Sequence, residues 1–215
     1  MGTPEKTNRD MRFEGWFNSH YLYIILISLL IFTLLPVLAP VLMKFGMHQP
    51  ARLIYWAYSN LCHQLPYRSW FLFGPQFNYP LDIVQNNSID TFSNAFDYAG
   101  NLERSRSVIG NATVGYKIAV CQRDLAMYTG LLVFGLIYSA ARRKIVKIPL
   151  WVWFVCGVIP LAIDGLTQLG GSISFMRELL PLRESTAFLR TLTGGLFGVF
   201  TGWFVFPYLE KLMKK

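Results

Sequence analysis

The chain has 215 residues, 53 % of them hydrophobic and only 15 % charged, and 20 Lys+Arg against 12 Asp+Glu leave a net charge of +8. A water-soluble domain carries about 25 % charged residues; here the apolar residues gather in runs of about twenty, the composition of an integral membrane protein. Disordered, collagen-like and disulfide-rich secreted classes are excluded, and the basic surplus points to anionic lipid leaflets instead of nucleic acid.

Residues 1–20 are polar and nearly balanced in charge and read as an N-terminal tail. Tyr21–Met43 carries no charge. At about 1.5 Å per residue it crosses the roughly 30 Å hydrocarbon core. A cleaved signal peptide would have an apolar region of about 7–15 residues and a small-x-small site. This run is longer and ends in Pro36 and Pro40, so it predicts a retained first span, kinked or broken near the prolines.

Pro50–Leu65 places Leu53, Ile54, Trp56, Ala57 and Leu61 on apolar positions and predicts an interfacial or re-entrant helix. Gly74–Tyr116 is a long insertion rich in Asn, Ser, Gly and aromatics. Within it, Val108–Val114 has the pattern of two short strands around a turn, a small hairpin. Three further spans are predicted at about 117–140, 150–169 and 187–209, followed by a basic tail at 210–215. The expected fold is therefore an all-α integral membrane protein with four transmembrane helices, an interfacial or re-entrant helix, and one membrane domain at 21–209.

Orientation follows from Lys and Arg in short loops. The 141–149 link holds Arg142, Arg143, Lys144 and Lys147 with no acid, and the tail adds Lys211, Lys214 and Lys215. Arg177 and Arg183, between the third and fourth spans, each stand beside a Glu. Both termini are expected in the cytoplasm, the insertion outside, and the plasma membrane is the expected location.

On this topology the costly residues converge. Cys62 and His63 end the external helix, with Gln64 and Arg68 just beyond; Cys121, Arg123 and Asp124 open span two; Asp164 and Gln168 close span three; Arg190 opens span four. Ionisable groups at span depth cost several kcal/mol unless paired or wet, so they mark a site by default. Asp164 and Arg190 lie at matching depth and are expected to pair, either as a structural ion pair or as part of the site. Cys62, His63, Cys121 and Asp124 have the donor types of a zinc or iron centre, zinc in the first place. Cys62 and Cys121 could equally be a disulfide or idle neighbours, and Cys156, mid-span, is expected to be an apolar packer. Gly194-x-x-x-Gly198-x-x-x-Gly202 forms a ridge of small residues in span four, expected to serve helix packing within the monomer. Walker, dinucleotide, nucleophile-elbow and Cys-x-x-Cys motifs do not occur.

Cys62-His63-Gln64-x-x-x-Arg68-Ser69, Cys121-x-Arg123-Asp124 with Tyr128-x-Gly130, Pro160-x-x-x-Asp164-Gly165-x-x-Gln168 and Arg190-x-x-Thr193-Gly194, in this order, resemble a family of predicted polytopic membrane proteins of bacteria and archaea, classed as a domain of unknown function. The resemblance covers about Leu53 to Gly202 and implies a multi-span fold with an important outer-face site. Many members of that family carry a second Cys where this chain has Asp124, and a shorter connection than Gly74–Tyr116. A Cys-to-Asp exchange removes a thiol pair but keeps a metal ligand. The readings are then a membrane enzyme or metal-binding protein, a small transporter component, or an accessory subunit with a membrane-protein partner or a second copy of itself. Asp164, Gln168 and Arg190 would orient ligands or contact substrate in the first. No residue names a reaction.

Overall fold

The computed structural model describes residues 8–81, 91–96, 102–170 and 185–213. Helix α1 (Asn8–Lys44) starts inside the expected tail and passes unbroken through Pro36 and Pro40. The anticipated break does not occur. A tight turn at Gly46 (φ +76°) leads to α2 (His48–Ser59). Ala51, Ile54, Tyr55 and Tyr58 form its buried face, in one apolar cluster with Ala39 of α1. Leu53 and Trp56 lie on its opposite, exposed face.

A 3-10 turn (Pro66–Arg68) precedes β1 (Ser69–Leu72); short helices α3 (Phe92–Phe96) and α4 (Leu102–Ser107) lead to β2 (Gly110–Asn111) and β3 (Gly115–Cys121). The strands form an antiparallel sheet in the order β1-β3-β2, with Ser69 opposite Cys121 and Gly110 opposite Tyr116. The fold is thus mostly helical but not all-α. A hairpin forms here, but shifted from the expected Val108–Val114: Gly110–Asn111 pairs with the start of β3 beyond Val114. Residues 112–114 are its turn, closed by Asn111 Oδ1, which accepts from the amides of Thr113 and Val114. Gly115 (φ +86°) packs so closely on the backbone that a Cβ there would stand 2.7 Å from the Gly74 nitrogen. Residues 117–121, expected as the start of a helix, extend this sheet instead. A short apolar run does not distinguish a buried strand from a helix, and Ile118, Ala119 and Val120 are buried in strand geometry. Over the sheet, Leu65, Tyr67, Phe71, Tyr79 and Phe92 make an aromatic core of their own.

Helix α5 (Gln122–Ala140) follows β3 without a break. After the 141–149 loop come α6 (Leu150–Trp153), a π-helical turn (Phe154–Val158) and α7 (Ile159–Gly170), then α8 (Ala187–Met213). Pro160 lacks the N–H that would close the turn onto Cys156, and a wide turn at that point is the expected accommodation. Among the described residues, three helical stretches are long and apolar enough to cross a membrane: Gly15–Lys44, Leu150–Gln168 and Ala187–Met213. Helix α5 is nearly as apolar, but its polar first turn dilutes it.

The glycine ridge explains the bundle. A Cβ at Gly194 would collide with the Arg123 carbonyl and one at Gly198 with the Met127 carbonyl, while Gly202 faces the Phe134 side chain. From the other side, a Cβ on Gly130 would stand 2.6 Å from the Gly195 oxygen. Helices α5 and α8 therefore run side by side in the same direction at near-backbone contact, as the expectation of intramonomer packing requires. The α6–α7 stretch runs the opposite way, with Trp153 Nε1 donating to Thr201 Oγ1 at 3.0 Å and Gly157 against Phe200. Helix α1 is also antiparallel to α8, since Tyr21 donates to Glu210.

Candidate functional site

The end of the bundle where α1 finishes and α5 and α8 begin carries the sheet and the nominated polar residues. Cys62 leaves α2 through a turn in which its amide donates to the Tyr58 carbonyl at 3.0 Å. The chain then reverses at Gln64, whose φ of +51° is a left-handed value a non-glycine residue takes at a cost. That turn is held by buried polar groups. Gln64 Nε2 donates to the Tyr55 carbonyl at 2.7 Å, and Lys117 Nζ donates to the carbonyls of Gln64 and Arg106, both at 2.8 Å. The Tyr55 hydroxyl donates to the Lys117 carbonyl, and Arg106 Nε to the His63 carbonyl at 3.2 Å. Lys117 is completely buried, and burial pushes its ammonium down to about 7.

This frame sets Cys62 against the end of β3. The Cys121 amide donates to the Cys62 sulfur at 3.3 Å, and Cys121 Sγ caps α5 by accepting from the Asp124 amide at 3.4 Å. The Cys62 and Cys121 sulfurs and an Asp124 carboxylate oxygen all lie within 4.8 Å of one another. Hydrogen bonding from the Cys121 thiol holds Cys62 below the ordinary thiol range and drives Cys121 above it. Both cysteines are free thiols, as is Cys156 in the π-helical turn. His63 does not join them. Its side chain is exposed and stands outside the donor set, because adjacent residues at a reversing turn send their side chains apart.

The other nominated residues form two neighbouring groups. Arg123 pairs with Asp164, whose own carbonyl and carboxylate accept from Gln168 Nε2 at 2.9 and 3.4 Å. The expected Asp164–Arg190 pair is thereby corrected: depth matching identified the right level but the wrong cation. Arg190, 3 % exposed, instead donates from Nη1 to the Tyr67 carbonyl at 3.1 Å and to Gln122 Oε1 at 3.2 Å. Gln122 in turn donates to the Ser69 carbonyl and Asn78 Oδ1, both at 3.2 Å. Arg190 and Gln122 thus tie α8 and α5 to the segment that leads into β1. Arg68 lies half-buried with its guanidinium 5.5 Å from the centre of the Tyr67 ring. An open apolar groove of about 410 Å³ runs along α8, lined by Phe188, Leu192 and Val199 among others, and none of the nominated residues lines it.

Sequence reasoning missed Tyr55, Lys117 and Gln122. A lone Lys between Tyr116 and the apolar Ile118-Ala119-Val120 is the one signal that marked Lys117 in advance, since a charged residue in a buried strand needs acceptors. Arg177 and Arg183 lie outside the described residues.

Comparison with known proteins gives three findings. The DUF2085 family model, described as a predicted membrane protein, matches residues 102–204, a segment that holds Cys121, Arg123, Asp124, Asp164, Gln168 and Arg190. An uncharacterised protein of Methanocaldococcus jannaschii is 31 % identical over 202 residues, spanning 91 % of this chain and 97 % of its own length. No solved structure matches the chain.

Proposed function

The chain belongs to the DUF2085 family of predicted membrane proteins, and from that premise we propose that it is a four-span plasma-membrane protein whose extracytoplasmic end binds a divalent metal, zinc in the first place, through Cys62, Cys121 and Asp124. The observation that carries the reading is the meeting of three donor atoms, delivered by two separate segments, within 4.8 Å. Zinc bonds sulfur at about 2.3 Å and carboxylate oxygen at about 2.0–2.2 Å, so donors so close need only small side-chain rotations to surround one ion. Two thiolates and a carboxylate favour zinc over magnesium or calcium, which prefer all-oxygen sites. Three protein donors leave a fourth position for water or substrate, the arrangement of exchangeable and catalytic sites, where the metal acts as a Lewis acid. The buried frame of Tyr55, Gln64 and Lys117 has the role of orienting the Cys62 turn, as supporting hydrogen bonds do around metal ligands.

Helix α5 is the fourth span in this reading. Its 19 residues reach about 28 Å at 1.5 Å per residue. The antiparallel order of α1, α5, α6–α7 and α8 then gathers both chain ends and the basic 141–149 loop at one end, which the distribution of Lys and Arg assigns to the cytoplasm. Helix α2, with Leu53 and Trp56 exposed and an exposed Leu61 just beyond its end, lies in the outer interface.

Protein purified without chelator is expected to carry close to one zinc per chain by elemental analysis, and zinc is expected to protect Cys62 and Cys121, but not Cys156, from alkylation. Metal content far below stoichiometric, with Cys62 and Cys121 joined as a disulfide by mass spectrometry, overturns the reading. An introduced cysteine at Ser88 is expected to label from outside intact cells; labelling only after permeabilisation reverses the orientation.

A further inference from the structure

At the opposite end of the bundle, α5 stops in an unusual way. Arg142 and Arg143 both take left-handed φ values, +53° and +59°. Their amides donate back to the carbonyls of Ser139 and Tyr138, each at 3.0 Å. Glycine is the ordinary residue for such a helix stop, because it has no Cβ to strain. Two arginines in succession therefore call for a use of their side chains. For Arg143 the use is internal: its guanidinium pairs with Glu210 at 3.5 Å, donates to the Ser19 carbonyl at 3.0 Å and covers the Tyr21 and Tyr23 rings.

Arg142 has no such internal use. Its side chain is exposed, and among the described residues it makes no side-chain hydrogen bond or ion pair. Lys144 and Lys147 of the same loop are exposed too, as is Lys211 on the last turn of α8. The loop holds no acid, and the nearby Glu210 is already occupied by Tyr21 and Arg143. The loop is not a loose tether. The indole N–H of Trp203 donates to the Val146 carbonyl at 3.0 Å, and the Lys147 ammonium lies 5.9 Å from the centre of the Tyr208 ring. Around it stand apolar and aromatic side chains turned outward: Val146 is 80 % exposed, Trp151 67 % and Leu150 60 %.

We propose that Arg142, Lys144 and Lys147, with Lys211 beside them, form a binding site for the headgroup of an anionic phospholipid. Exposed apolar and aromatic residues next to fixed cations place the loop at the boundary between hydrocarbon and headgroups, where Trp and Tyr settle. A guanidinium matches a phosphate with two parallel donors, and the two ammonium groups supply point charge around it. The loop is fixed by Trp203 before any lipid arrives, so little ordering is lost on binding. A lipid is favoured over a free anion because Val146, Leu150 and Trp151 offer contact to acyl chains beneath the same cations.

The test is native mass spectrometry of the full chain in mild detergent supplied with equal amounts of POPG and POPC. POPG is expected to be retained over POPC, with a preference that declines as NaCl is raised. Each removed cation should lower the preference about five-fold, the equivalent of ~1 kcal/mol, so the triple variant R142Q/K144Q/K147Q should lose it. Lys44→Gln, at the other end of the bundle, should leave it unchanged. Equal retention of the two lipids by the wild-type protein overturns the proposal, and this arm needs no variant to fold. So does a triple variant with wild-type preference, or a Lys44→Gln protein that loses it. Release of POPG by millimolar inorganic phosphate marks a free-anion site and also contradicts the proposal.

Discussion

At the end of the bundle where β3 runs into α5, polar groups are buried and matched: Lys117 has two carbonyl acceptors, Gln122 bridges Ser69, Asn78 and Arg190, and Arg123 meets Asp164. At the other end, among the described residues, the Tyr21–Glu210–Arg143 cluster is held in this way, whereas Arg142, Lys144, Lys147 and Lys211 stand in the open. The sequence gives both ends cations in quantity. What differs is the presence of acceptors. Buried charge demands partners of fixed geometry, and that demand makes the first end rigid enough to hold two thiols and a carboxylate together. Exposed charge demands nothing of its neighbours and stays available to the bilayer.

Breaking the scaffold that joins the ends should have the largest effect. Gly198→Val would drive a branched side chain into the Met127 carbonyl, and backbone cannot yield as a side chain can. A loss of at least ~3 kcal/mol is expected, seen as disappearance of the monodisperse peak in fluorescence-detected size exclusion.

Asp164→Asn comes next, because it leaves the Arg123 guanidinium without its counter-charge, a change worth about 3 kcal/mol in buried settings and less here, where Arg123 is partly exposed. Adding Arg123→Gln should recover part of the lost thermal stability. Adding Arg190→Gln should simply add its own loss; recovery with Arg190 instead of Arg123 would contradict the pairing described above.

Lys117→Met should remove about 2–3 kcal/mol by stranding the carbonyls of Gln64 and Arg106. Its effect on pH dependence has a definite sign. The ammonium titrates near 10.5 in the unfolded chain and near 7 when folded. Between those values the unfolded chain binds the extra proton, so this group makes stability rise as pH increases from about 7 towards 10. Melting curves of the Lys117→Met variant should lack that part of the slope. Tyr21→Phe, at the other end, removes one hydroxyl donor to Glu210 and should cost only about 1 kcal/mol.

Much of this arrangement is legible in the residues, and the misreadings share a cause. Runs of apolar residues announced the helices, and the Gly194–Gly198–Gly202 spacing announced a close helix contact whose partner, α5, the structure supplies. Local patterns of this kind depend on one segment. Cys121-Gln122-Arg123-Asp124 was harder, because its four side chains serve four different neighbours: Cys62, the β1 segment with Arg190, Asp164, and the cysteine pair itself. Residue type and depth narrow such partners without choosing among them, which is how Asp164 was matched to Arg190. His63 was nominated by type alone, and the reversal at Gln64 turns it away. Strand β1 escaped notice because four residues, Ser69–Leu72, carry too little periodicity to separate strand from loop.

X-ray absorption at the zinc edge on the purified 215-residue chain tests the metal centre most directly. Two sulfur neighbours at about 2.3 Å with oxygen at about 2.0–2.2 Å are expected, with one sulfur lost in Cys62→Ser and in Cys121→Ser. A zinc shell without sulfur, or a shell unchanged by either substitution, would contradict a site built from Cys62, Cys121 and Asp124.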